Sequence, residues 1–179
     1  MMPTDKARQA IFETVKKDIR SLGVSQPEKS CLYYAYFGGC RLSMYGYECS
    51  LVAGTASWRF LPDWLDDGKD TTMTHYTYMF EEDSEVTRRA IAAKLMPEMH
   101  CWVAARRSKE HRVFLVDMTT GFQAATAKER GYEWHPDCKL KEHLWLYADQ
   151  INQDCVYAPD QEATLLAYEM ISGTGRYAK

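Results

Sequence analysis

The run Ser30-Cys31-Leu32-Tyr33-Tyr34-Ala35-Tyr36-Phe37 constrains the fold more than any other part of this chain. It is apolar on nearly every side. A surface helix keeps one polar face, so a helix that is apolar all round belongs in an interior. Ser30 is a residue type that caps helix starts, and Gly46 ends the segment. The chain is therefore expected to assemble around a central buried helix. Gly38 and Gly39 lie inside it, each costing about 1 kcal/mol relative to Ala. A pair retained at that cost predicts close packing against another element.

The flanking segments supply partners for such a helix. Thr4 can cap a first helix carrying Ile11, Val15, Ile19 and Leu22 at helical spacing, and Gly23 stops it. Residues 47–60 read as a strand centred on Leu51-Val52-Ala53-Gly54, and residues 73–80, dense in Thr and Tyr, as a second. Between them, Pro62 to Thr72 is an Asp-rich loop, a candidate lid. Ser84 to Leu95 is an amphipathic helix. His100 to Ala105 and Arg112 to Asp117 are strands joined by a charged hairpin turn at 106–110. Phe122 to Arg130 and Asp160 to Ile171 read as helices, and Leu144 to Tyr147 as a strand or a helix fragment. Helices segregated around a mostly antiparallel sheet make an α+β fold.

The length of 179 residues predicts one domain over 1–179. Basic and acidic residues number 22 and 25, a net charge of −3, which argues against a nucleic-acid partner. No apolar run approaches the ~18 residues of a membrane span. Residues 1–20 mix charged and apolar positions, unlike a signal peptide. These features predict a cytoplasmic protein without a membrane partner. They leave its oligomeric state unread.

The six cysteines are Cys31, Cys40, Cys49, Cys101, Cys138 and Cys155, with no Cys-x-x-Cys pair. In a reducing compartment most should be inert buried thiols. A reactive cysteine needs a group that stabilises its thiolate, a histidine to move the proton, and a third group to orient the imidazole. Cys31 opens the buried helix, where free N–H groups and the helix dipole favour a thiolate. Its own N–H is placed to hold an oxyanion. His100 begins one strand and Asp117 ends the next. With the turn centred near residues 108 and 109, the two fall at the same open end of the hairpin, roughly opposite each other.

These pieces are Cys31 at a helix start, Val52-Ala53-Gly54, His100-Cys101-Trp102-Val103, and Leu115-Val116-Asp117-Met118-Thr119. Together they resemble the transglutaminase-like branch of the papain-like cysteine proteinase superfamily, over residues 30–121. The resemblance implies a papain-like α+β fold in which the Cys-bearing helix packs on the sheet. It implies Cys31 as nucleophile, His100 as general base and acid, and Asp117 as orienting group. The family also draws an oxyanion donor from upstream, often a Gln, and Gln26 is the candidate in that stretch. The implied activity is acyl transfer, as hydrolysis of a peptide, amide or ester bond. The substrate would be a small molecule or a peptide, and no cofactor is needed. Transfer to an amine and a non-catalytic binding module on the same fold are the alternatives.

Other residues admit a functional and a plain reading. Trp102 shares a strand face with His100, so it is either a substrate-binding wall that also shields the His100–Asp117 bond or a core residue. Cys101 should point to the opposite face. Cys40 is the rival nucleophile if Cys31 is inaccessible. His75 either lines the site or is structural. His135, Cys138, His143 and Cys155 are ligand-type residues without a common zinc spacing. The Asp-rich loop lacks the EF-hand spacing. No metal is therefore expected.

Overall fold

A computed structural model describes residues 1–23, 30–59, 75–134, 140–151 and 155–178. Helix α1 (Asp5–Ser21) starts where Thr4 Oγ1 accepts the Ala7 N–H at 3.4 Å. Its buried stripe of Ile11, Phe12, Val15 and Ile19 packs on helix α2 (Cys31–Met44). Leu22, expected on that stripe, is exposed. An Arg41–Asp18 pair, two bonds of 2.8 Å, joins the two helices. Helix α2 lies against strands β1 (Tyr47–Arg59) and β3 (His100–Arg107). The glycine pair explains the approach. A Cβ on Gly38 would sit 3.1 Å from Met118 Cε and 3.6 Å from Val103. Leu32, Tyr34, Ala35 and Leu42 are buried, as an interior helix requires, while Tyr33 and Tyr36 keep an exposed edge.

Among the described residues the sheet has six strands and every pairing is antiparallel. Strand β1 is its hub. Residues 47–54 pair with β3, residues 56–59 with β2 (His75–Tyr78), and residues 54–58 with β6 (Cys155–Pro159). Strand β4 (Phe114–Asp117) joins β3 to β5 (Leu144–Tyr147). Helix α3 (Glu85–Ala92) is capped by Ser84. Helix α4 (Gln123–Glu129) follows β4, and α5 (Gln161–Ser172) follows β6 directly. Strand β6 was not expected from the sequence. It exists because Gly54 has no side chain: a Cβ there would collide with the Ala158 carbonyl oxygen.

Alternation along the strands sorts the sheet into two faces. Leu51, Ala53, Cys101, Val103, Ala105 and Val116 face α1 and α2. Ala56, Trp58, Tyr76, Trp102, Leu115 and Tyr157 form an aromatic-rich cluster apart from that core. The α+β expectation is met. Strand β3 runs two residues beyond the expected Ala105, and β4 begins at Phe114 rather than at Arg112. No helix among the described residues is long and apolar enough to cross a membrane.

Candidate active site

Helix α2 begins at Cys31, with Ser30 in the N-cap position. The Ser30 carbonyl accepts the Tyr34 N–H at 2.9 Å, but its hydroxyl makes no capping bond to the helix. The first-turn N–H groups, that of Cys31 included, have no partner within the helix. Cys31 is 8% exposed, yet it lines a cavity of about 500 Å³ together with His100 and Tyr78.

His100 is buried and its Nε2 donates to Asp117 Oδ2 at 2.7 Å. The hairpin register pairs Val103 with Val116, so Asp117 falls opposite Trp102 rather than His100. The offset is two residues, an even number, which keeps Asp117 on the face of His100. A one-residue slip would have sent the carboxylate to the helix side. Among the described residues Asp117 accepts four bonds. Oδ2 also takes the Tyr157 O–H at 2.7 Å, and Oδ1 takes the Thr119 N–H at 2.8 Å and Thr119 O–H at 2.7 Å. Trp58 Nε1 in turn donates to the Tyr157 oxygen at 3.1 Å.

This arrangement decides the charge on Asp117. Burial pushes its carboxyl up, but the His100 charge and the hydrogen bonds from His100, Thr119 and Tyr157 outweigh burial and hold it below the usual range. Burial likewise opposes a charged His100. Asp117, by charge and hydrogen bond, and then Cys31 reverse that and raise the imidazole to about 10. The ring also sits among aromatic rings. Trp58 meets it edge-on at 4.8 Å, Tyr78 stacks at 5.4 Å, and Trp102 lies at 6.3 Å. Aromatic faces favour a cation.

Because Nε2 belongs to Asp117, Nδ1 is the nitrogen left for chemistry. It is buried and makes no hydrogen bond of standard geometry among the described residues. Cys31 is the thiol that acts on this ring. The Cys31 thiol is lowered to about 5, first by a hydrogen bond from Cys101 and then, against burial, by His100. Cys101 is pushed well above an ordinary thiol by that bond to Cys31 and by burial, so it remains a protonated S–H donor. Both shifts favour a Cys31 thiolate with a His100 imidazolium over the neutral pair.

Comparison with protein-family models, with curated proteins and with solved structures finds no match to this chain. The geometry therefore carries the functional reading.

Cys31, His100 and Asp117 are brought together. Trp102 is 3% exposed and is not on the wall of the cavity. It packs behind the imidazole against Tyr157, at 5.2 Å, which fits shielding of the His100–Asp117 bond rather than substrate contact. Gln26 lies outside the described residues, as do residues 60–74, which include the Asp-rich loop, and 135–139, which include His135 and Cys138. His143 is engaged by Gln9 and Trp145, both at 3.0 Å. Among the described residues no cluster of His, Cys, Asp and Glu could hold a metal ion. Cys40 is exposed but nine residues beyond Cys31, about 13 Å along a helix. His75 pairs opposite Arg59, and Tyr78 of the same strand lines the cavity instead.

Sequence reasoning did not single out Tyr157, Trp58, Tyr78, Gln123 or the part played by Cys101. Cys101 does point to the opposite strand face from His100, as expected, but that face carries Cys31. Thr119 had a signal. An Asp two residues before a Thr forms a local turn in which the carboxylate accepts the Thr backbone and hydroxyl.

Proposed function

We propose that this chain is a cysteine-nucleophile acyl-transfer enzyme of the transglutaminase-like, papain-like type. The observation that carries the reading is the buried line Cys31–His100–Asp117 at the head of α2, opening on the 500 Å³ cavity.

In this reading the Cys31 thiolate attacks a carbonyl carbon and forms a C–S bond, while the carbonyl electron pair moves onto oxygen. The Cys31 N–H at the helix start stabilises that oxyanion. Collapse expels the leaving group, which takes the proton from Nδ1 of His100. The neutral imidazole then removes a proton from water, and hydroxide attacks the thioester. The acid departs and the thiolate–imidazolium pair is restored. Asp117 balances the imidazolium and fixes the ring so that Nδ1 faces Cys31 throughout. An amine in place of water would give transamidation by the same steps.

The test is acetylation by p-nitrophenyl acetate, read by peptide mass spectrometry. An acetyl group localised on Cys31, absent in Cys31→Ser and removed more slowly in His100→Ala, supports the reading. Acetyl groups spread over lysines, or unchanged labelling in Cys31→Ser, would overturn it.

A further inference from the structure

Three buried side-chain polar atoms make no hydrogen bond of standard geometry among the described residues: Tyr76 Oη, His100 Nδ1 and Gln123 Oε1. Two of the three belong to residues on the wall of the Cys31 cavity. His100 Nδ1 has a role in the proposed chemistry. Gln123 has none so far.

Gln123 is 1% exposed and is the first residue of α4. Its Nε2 donates to the Thr119 carbonyl at 3.3 Å, which fixes which end of the amide is oxygen. Oε1 is thus an acceptor, buried and unpaired. An unpaired buried acceptor carries a desolvation penalty, which a group that pairs it relieves.

The neighbouring group has the same polarity. Thr126 lies three residues on, so on the same helix face, and also lines the cavity. Its hydroxyl donates to the Phe122 carbonyl at 3.0 Å, leaving only acceptor capacity. Gln123 Oε1 and the Thr126 hydroxyl oxygen therefore give this side of the wall two acceptors, against one donor, the second N–H of Gln123 Nε2. At the rim, Arg130 is engaged by Glu98 at 3.4 Å and lies over Tyr78 at 5.3 Å. Glu98 and Glu129 line the same wall, so its carboxylates outnumber its one guanidinium, which disfavours an anionic ligand.

We propose that Gln123 is a specificity-determining residue: its Oε1 accepts an N–H borne by the substrate beside the reacting carbon. The cavity then selects uncharged or cationic N–H donors over ester isosteres. This inference rests on Cys31 being the reactive thiol, and goes beyond it by naming what the wall reads.

The test uses N-methyl-iodoacetamide and methyl iodoacetate, which match in size and differ by N–H against O. Cys31 alkylation by each is measured on the full chain, normalised to the rates with N-acetylcysteine. The expected preference for the N–H probe is about tenfold, one hydrogen bond's worth, falling to about one in Gln123→Met while the pH midpoint of Cys31 stays put. A normalised ratio near one in the wild type, with Cys31 still titrating far below an ordinary thiol, overturns this inference and leaves the triad reading standing. Equal slowing of both probes in Gln123→Met, with the preference retained, also overturns it, because that is a structural effect. A Cys31 that reacts with neither probe below pH 8 overturns both readings. Where Gln123→Met does not fold, as judged by circular dichroism, the wild-type ratio decides.

Discussion

Cys31 answers to two groups rather than one, and the larger influence is the Cys101 S–H bond. A depressed thiol pKa raises the thiolate fraction but weakens each thiolate as a nucleophile. Near pH 7 the two effects roughly cancel, so a single rate at neutral pH decides little. The pH midpoint of alkylation does decide. It should lie near 5 in the wild type, against about 8.5 for a free thiol. His100→Ala should move it upward and slow alkylation at pH 6 by about tenfold. Cys101→Ala should move it upward too, whereas Cys101→Ser, which keeps a donor, should hold it near the wild-type value. A wild-type midpoint near 8.5 would sink the ion pair.

At the scale of elements, the site depends on how strands are brought together. Tyr157 reaches Asp117 only because β6 closes on β1 at Gly54. In Gly54→Ala the new methyl group meets backbone, which cannot rotate away. The expected cost is about 3 kcal/mol, read as a lower urea midpoint, with the near-ultraviolet signal of Trp58 and Tyr157 altered. Unchanged stability would mean that β6 does not need that close approach. The hairpin tells a related story. Residue types and strand alternation placed His100 and Asp117 on one face, and that expectation survived a two-residue register offset because the offset was even. Nothing in residues 155–159 announced a strand beside β1, since a short run with Pro159 at its end has no clear period of its own. Helix α4 was legible as a helix, but which of its faces lines the cavity of Cys31 was not.

For the whole molecule, the buried triad fixes how stability depends on pH. Cys31 is lowered to about 5, so its contribution is fully present above about 8.5 and is lost as pH falls through 5. His100 is raised to about 10, so its contribution is full below about 6.5 and is lost as pH rises through 10. Between about 6.5 and 8.5 the two slopes oppose and cancel. Stability should therefore be flat in that window and fall by about 2 kcal/mol on each side, over about 1.5 pH units at 1.4 kcal/mol per unit. Asp117, lowered, adds a further loss below about pH 4. Cys101 and Tyr157, both raised, deepen the alkaline fall. Urea unfolding from pH 4 to 10 checks this. In Cys31→Ser the acid shoulder between 6.5 and 5 should vanish, and its persistence would show that another group causes it.

Local residue patterns suffice to put the apolar residues of α2 in the core, though not to foresee its exposed Tyr33 and Tyr36 edge, to identify β1, β3 and β4 as strands, and to set Cys31, His100 and Asp117 at element ends. Each follows from a local rule, in which apolar residues on all sides, a period of two or a cap residue shows within a few positions. Packing between distant segments is what sets Cys101 on Cys31, backs Asp117 with Tyr157 and Trp58, and leaves a buried acceptor on Gln123, a residue of the same cavity wall. Tyr157 and Asp117 are 40 residues apart, and Trp58 and Tyr157 are 99 apart. Contacts of that kind leave no local period. They arise from which faces close-pack, and here from a glycine whose missing side chain lets one strand in.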